Sequence, residues 1–284
     1  LTLAWMGYGV WAPVMGYWVQ QVFLSITTFF LARYVPRLTW SNKRVREMIG
    51  YGFSYSSSLW VWQLRNLMNP LLVGRFLGVE GVAIVALAIR LVEALSFVKN
   101  ATWRLSIATM AKLQGDVVRL KKALEEAMVL QILALGPLLV LFAIVSIWVV
   151  PLFFGEEWNQ MIVIFPFIAL SYLINAVFNM HSSVLYVLKR NNDVTLFHVA
   201  HVLLFGGGAF VLVPILGITG YGWAEVIAIL SYFVIHHKLK KILEPSYAPI
   251  RPLLVGFVPV LFIPFIQNYW SYGLLVFLLV IFFH

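Results

Sequence analysis

The feature that most constrains this chain is a succession of long apolar runs. About 20 mostly apolar residues, wound as a helix, cross the ~30 Å hydrocarbon core of a bilayer. After an apolar stub at 1–6, such runs lie near residues 10–31, 51–77, 82–110, 128–153, 161–188, 194–216, 221–237, 253–266 and 272–283. Inside lipid only a helix or a closed barrel satisfies every backbone N–H and C=O, and unbroken runs of this length read as helices. The expected fold is therefore all-α, a polytopic transmembrane helix bundle of about nine helices plus a stub. A soluble alternative fails on surface chemistry: 62% of the residues are hydrophobic and 11% charged, too few to coat 284 residues in water.

The loops between runs alternate in charge. One set holds Arg33, Arg37, Lys43, Arg44 and Arg46, then Lys112, Arg119, Lys121 and Lys122, then Lys189 and Arg190, then Lys238, Lys240, Lys241 and Arg251. The other set, at 78–81, 155–160, 215–221 and 267–271, holds Glu80, Glu156 and Glu157 and no Lys or Arg. Fifteen of the twenty basic residues thus fall on one side, which the positive-inside rule makes cytoplasmic. The same placement accounts for the net charge of +9 without nucleic acid, which is not expected as a partner. The absence of cysteine excludes disulfides and thiolate metal sites. No cleavable signal peptide is visible, and the opening at Leu1 within an apolar stretch reads as part of a longer chain. Two amphipathic stretches, 41–50 and 115–127, suit the headgroup plane, either as simple anchors or in contact with anionic lipid; simple anchoring is the favoured reading.

Polar residues inside the runs carry the functional information, because each is costly in hydrocarbon unless it has a partner or a watery space. At 100° per residue, Arg90, Glu93, Asn100 and Arg104 share one quarter of a helix, with Arg90 and Glu93 able to pair at i, i+3; Lys99 points the other way, with a stem long enough to snorkel. Ser54, Ser58, Arg65 and Asn69 align on the run before it, beside Trp62 and Asn66, and Pro70 is expected to kink or open that helix. A third stripe is Ser171, Asn175, Asn179 and Ser182, leading to His181. Two readings are open. The stripes line a shared hydrophilic cavity, or they are hydrogen-bonding glue between helices. Ser and Asn alone would favour glue. Three aligned arginines against one glutamate favour a cationic cavity, suited to an anionic headgroup such as a pyrophosphate or acidic sugar.

Other candidates are weaker. His198 and His201 could form a proton relay or a metal pair, but no third ligand is apparent and no metal or cofactor is expected. Residues 206–208, three glycines, suit close helix packing. Glu225 reads as an interfacial carboxylate near its helix end. No nucleophile–base arrangement and no large catalytic loop is present, so an enzyme is not expected.

Short motifs in a fixed order resemble a known family. They are GYGVWA at 7–12, REMIGYG at 46–52, LLVGRFLG at 71–78, FGEEW at 154–158 and GITGYGWA at 217–224. Together they resemble the polysaccharide (O-antigen or exopolysaccharide type) flippases of the multidrug/oligosaccharidyl-lipid/polysaccharide exporter superfamily. The resemblance implies two six-helix lobes around a central cavity, often with two additional helices. On that map residues 1–32 are the end of helix five and helix six of the first lobe. Residues 33–50 are a cytoplasmic basic linker, 51–241 the second six-helix lobe, and 242–284 two additional C-terminal transmembrane helices. The implied activity is movement of an undecaprenyl-pyrophosphate-linked oligosaccharide across the bacterial inner membrane. Membrane lipids, and other polysaccharide assembly proteins, are its implied partners. A cation-coupled drug antiporter of the same superfamily is the alternative, and a membrane enzyme of polysaccharide assembly a more distant one. With most of the first lobe absent, the chain is not expected to transport alone. The substrate contacts expected from the stripes are Arg65, Arg90, Arg104, Asn69, Glu93, Asn100, Asn175 and Asn179.

Overall fold

The computed structural model describes residue 7 and residues 11–32 and 40–263, and among them it is helical with no strand. The stub at 1–6, the basic residues Arg33 and Arg37 and the apolar run at 272–283 lie outside the described residues. Two compact units are distinguished, residues 1–48 and 49–284.

In the first unit, α1 (Trp11–Ala32) is 22 residues long with no acidic or basic side chain. The Thr27 and Thr28 hydroxyls donate back to the carbonyls of Phe23 and Leu24 at 2.8 and 2.7 Å, which satisfies them within the helix.

The second unit begins at Ile49, within α2 (Asn42–Met68), and takes in the helices that follow. Pro70 does not end the helical path. It lacks an N–H and its ring crowds the preceding turn, and the chain answers with one wide π-helical turn, Asn69–Val73. α3 (Gly74–Leu95) follows and breaks at Gly78, where φ is +70° and ψ −169°. That conformation is strained for any residue with a Cβ, so the path changes direction at a single glycine rather than through the whole of 78–81. The apolar run 82–110 is divided at Ser96 between α3 and α4 (Phe97–Lys112). The Ser96 hydroxyl donates to the Val92 carbonyl at 2.6 Å, as befits the end of a helix.

α5 (Val117–Phe154) has 38 residues, about 57 Å at 1.5 Å per residue and far more than a bilayer core requires. Its N-terminus is capped by the Asp116 carboxylate, which accepts from the Arg119 N–H at 3.0 Å. The amphipathic stretch expected to lie separately in the headgroup plane is instead the first turns of this helix, continuous with the span. Gly155, at φ +100°, then turns the chain into the short 3₁₀ segment Glu156–Trp158. α6 (Gln160–Val187) and α7 (Asn191–Leu216) are long; α8 (Ile218–Ile229), α9 (Tyr232–Lys240) and α10 (Arg251–Leu261) are shorter.

By length and composition, six helical segments among the described residues can cross a membrane. The core is fully buried Leu135 and Leu139 of α5, Ile168 and Leu173 of α6 and Ala224 of α8, with Phe205 of α7 almost fully buried. In lipid, such packing works by close contact rather than by escape from water, so small residues at crossings matter. At Gly220 an added methyl group would strike the backbone carbonyl of Leu212. Of the glycines at 206–208, Gly208 meets Ala224 and Gly206 meets the Met68 sulfur, while Gly207 has nothing close.

Candidate functional site

Within the second unit, α2, α3, α4, α6, α7 and α9 wall a cavity of about 350 Å³, at the lower end of the ~300–1,000 Å³ usual for ligand sites. Its lining on α6 runs from Ser171 to Tyr186, the half of that helix that leads to Lys189 and Arg190. The cavity thus lies towards the basic-loop end of the bundle.

The local sequence explains which side chains reach it. α2 is joined to its neighbours by side-chain bonds that its polar stripe supplies. Ser54 donates to Asn192 at 2.9 Å, Ser58 bonds the Tyr186 hydroxyl at 2.6 Å, and Asn69 accepts from the Tyr221 hydroxyl at 3.0 Å. Arg65 lines the cavity, and its guanidinium donates to the Glu225 carboxylate of α8 in a buried ion pair. The guanidinium also lies 4.4 Å from the centre of the Phe205 ring. This corrects the expectation for Glu225, which is 1% exposed and is not an interfacial carboxylate. Lipid offers a lone carboxylate nothing, and the Arg65 guanidinium is the partner that makes its burial tolerable.

Lys99 is the second correction. It does not snorkel but is 7% exposed and lines the cavity, with Nζ donating to Asn175 Oδ1 at 3.1 Å and lying 5.2 Å from the Tyr172 ring centre. Asn175 is itself fixed, donating to the Tyr232 hydroxyl at 3.0 Å. The backbone at Lys99 is held to α5, since buried Gln131 donates to the Lys99 carbonyl at 3.2 Å and to the Thr102 hydroxyl at 2.8 Å. No carboxylate among the described residues pairs with Lys99. Glu93 is also on the wall but is taken by Arg90 at 3.0 Å. The ionic inventory is therefore the buried pair Arg65–Glu225 and the exposed pair Arg90–Glu93, plus one buried ammonium with no carboxylate partner among the described residues.

Of the residues expected from the stripes, the structure brings Arg65, Glu93, Asn175 and Asn179 to one cavity. Asn69 is not on its wall and is bonded to Tyr221. Arg90 reaches the cavity only through Glu93, and Asn100 and Arg104 are exposed on α4, away from it. Lys99, Tyr172 and Trp103 were not expected there. Their only sequence signal was position, since each falls at depth within an apolar run.

The histidines are structural in their bonding. His198 Nδ1 donates to the Ser58 carbonyl at 2.8 Å, and His201 Nδ1 donates to the Ser231 hydroxyl at 3.0 Å, which in turn donates to Ala228. Both rings stand about Trp62, with centroids 5.0 and 5.2 Å away. No cluster of three potential metal-ligating side chains occurs among the described residues. His181, at the end of the third stripe, is buried outside the cavity and shares the Tyr247 hydroxyl with His236 at 2.6 Å each.

Apolar helices around a polar cavity with a surplus cation define a polytopic membrane protein with a polar interior cavity. Residues 1–163, more than half of the chain, match a family described as polysaccharide biosynthesis protein, and the chain belongs to that family. It is 26% identical over 243 residues to the lipopolysaccharide biosynthesis protein WzxC of Escherichia coli (strain K12), covering 82% of this chain and 49% of that protein. The chain thus spans about half the length of the curated relative it matches. No solved structure matches it. With six candidate spans and this kinship, the protein is a multi-pass protein of the bacterial inner membrane.

Proposed function

We propose that this chain forms part of a flippase, not an enzyme, that moves an undecaprenyl-pyrophosphate-linked oligosaccharide from the cytoplasmic to the periplasmic leaflet. The single observation that carries the reading is Lys99, a buried cation with no carboxylate partner among the described residues, on the wall of a polar cavity. An unpaired ammonium in a membrane interior is costly, and an anionic ligand offsets that cost.

In this reading Lys99 takes one oxygen of the pyrophosphate while the lipid tail stays in the bilayer. Asn175 positions the ammonium, and Asn179 supplies a further polar contact. Arg65 keeps the adjoining wall polar while paired with Glu225. Arg90 acts by neutralising Glu93, so that the wall retains its positive surplus. Asn69 acts through Tyr221, on the α8 side of α2, and Asn100 and Arg104 form a polar outer face of α4 along which the headgroup can approach. The cavity's position beside Lys189 and Arg190 suits loading from the cytoplasm, and alternating access by rocking of helix bundles would deliver the cargo to the far side.

A drug and cation antiporter would need a free acid to hold a cationic cargo. Glu93, the carboxylate on the cavity wall, is paired with Arg90, and Glu225, off the wall, with Arg65, which favours the anion reading. The test is to delete the gene and assay the bacterium's lipid-linked oligosaccharide. Accumulation of the undecaprenyl-linked species on the cytoplasmic leaflet, relieved by the wild-type gene and not by Lys99→Gln, is expected. Normal lipid-linked oligosaccharide levels in the deletion strain would defeat the proposal.

A further inference from the structure

The same cavity carries more aromatic surface than an anion needs. Seven of its eighteen lining residues are aromatic, against 16% of the chain. Trp62 and Tyr55 of α2 are half-buried, with part of each ring open. The rings of His198 and His201, which also line the cavity, pack against Trp62, and Tyr55 packs edge-on against Tyr186 at a centroid distance of 5.1 Å. The hydroxyl of Tyr186 is already bonded to Ser58, so that ring offers chiefly its carbon surface.

α6 brings the complementary chemistry. The Ser171 and Ser182 hydroxyls and the Asn179 amide line the cavity and make no side-chain hydrogen bond to any described residue. These groups are open to the cavity, so a ligand can bond them without displacing a protein partner. A bare phosphate has no use for the rings. An alkyl chain has no use for the amide and hydroxyls. A molecule with an apolar C–H face and a polar rim uses both.

We propose that Trp62 and Tyr55 of α2, with Ser171, Asn179 and Ser182 of α6, form a sugar-ring subsite of this cavity. A pyranose lays its C–H face on the Trp62 indole, and its hydroxyls bond the α6 amide and hydroxyls. The inference rests on the carrier reading above and assigns the sugar portion of its cargo to this wall, beside the Lys99 ammonium. Trp62 is a binding residue here, with its orientation set by the two histidines.

The test separates the two ideas by using two probes on the purified protein in lipid nanodiscs. Methyl pyranosides (glucoside, galactoside, fucoside and glucuronide) and inorganic pyrophosphate are titrated by isothermal calorimetry. At least one methyl pyranoside is expected to bind saturably. Its affinity should fall about tenfold in Trp62→Ala, the loss of roughly one stacked ring, and be largely kept in Trp62→Phe. Pyrophosphate affinity should be unchanged in Trp62→Ala and lowered in Lys99→Gln. Ser182→Ala, which leaves the rings in place, should weaken the pyranoside about threefold and serves if Trp62→Ala does not fold. Pyranoside binding that is absent, or the same in the wild type and in both Trp62→Ala and Ser182→Ala, overturns the subsite. If pyrophosphate still binds through Lys99 in that case, the carrier reading stands; if it does not, both fall.

Discussion

Arg65 and Glu225, 160 residues apart in the chain, meet in a buried ion pair that joins α2 to α8. The pair lies at the edge of the polar cavity and ties the aromatic-bearing helix to the rest of the second unit. Removing either partner leaves a charge that neither lipid nor packed side chains can solvate. Glu225→Gln or Arg65→Met alone should destabilise the protein by about 3–5 kcal/mol, whereas Arg65→Met with Glu225→Leu should be close to neutral. Thermal unfolding of the four species in detergent gives the coupling directly. Additive single effects would mean that the pair is not an energetic unit.

Lys99 predicts the opposite sign for stability. A buried cation with no carboxylate costs folding energy in the empty protein, so Lys99→Gln should unfold at an equal or higher temperature than wild type while losing anion binding. A variant that both melts earlier and binds pyrophosphate normally would contradict the placement of Lys99 as a ligand group.

Arg90 tests the charge count of the cavity. Arg90→Ala removes the partner of Glu93, so the free carboxylate offsets the Lys99 ammonium and the wall loses its positive surplus. Pyrophosphate affinity should fall severalfold, and Arg90→Ala with Glu93→Gln should restore it. Lipid-linked sugar moving normally in Arg90→Ala would remove that residue from the site.

Tyr247 holds together a second, partly buried cluster, away from the cavity. One phenol hydroxyl carries one proton, so it donates to one of His181 and His236 and accepts from the other. Burial raises the phenol above its usual titration range, so it stays protonated as the donor. Tyr247→Phe should cost about 1–3 kcal/mol by stranding the buried His181 ring, measured by chemical unfolding. No loss would show that water takes the place of the hydroxyl.

Gly220 separates close packing from glycine flexibility. Gly220→Ala drives a methyl group against the Leu212 carbonyl and should cost about 1–3 kcal/mol. Gly207→Ala, with open space at its Cβ, should be neutral or stabilising by up to about 1 kcal/mol. Equal melting temperatures for the two would refute the packing argument.

The polar stripes were legible because helical phase is local. Residues at a fixed angular step share a face whatever surrounds the helix, and all four members of the α6 stripe, Ser171, Asn175, Asn179 and Ser182, line the cavity; of the earlier stripe only Arg65 does, while Ser54, Ser58 and Asn69 bond neighbouring helices. The Arg90, Glu93, Asn100 and Arg104 stripe shows the limit. Its residues were grouped on one continuous helix, but the chain breaks at Ser96. Glu93 and Lys99, about 120° apart on an ideal helix, both reach the cavity, while Asn100 and Arg104 stay exposed. The charged face was taken as the inner one, yet the inner face of α4 carries the lone lysine.

By itself the sequence determined the solvent, the fold class and the helical phase of its polar residues. These follow from run length, from backbone hydrogen bonding in lipid and from 3.6 residues per turn, all of which act within a segment. The tertiary structure decided which charges cancel. Glu225 and Arg65 are distant in the chain, and Lys99 is set by a break that no periodicity announces. Whether an ionisable side chain in a membrane is a solved structural problem or an open binding site depends on what packs against it, and only the arrangement of helices supplies that.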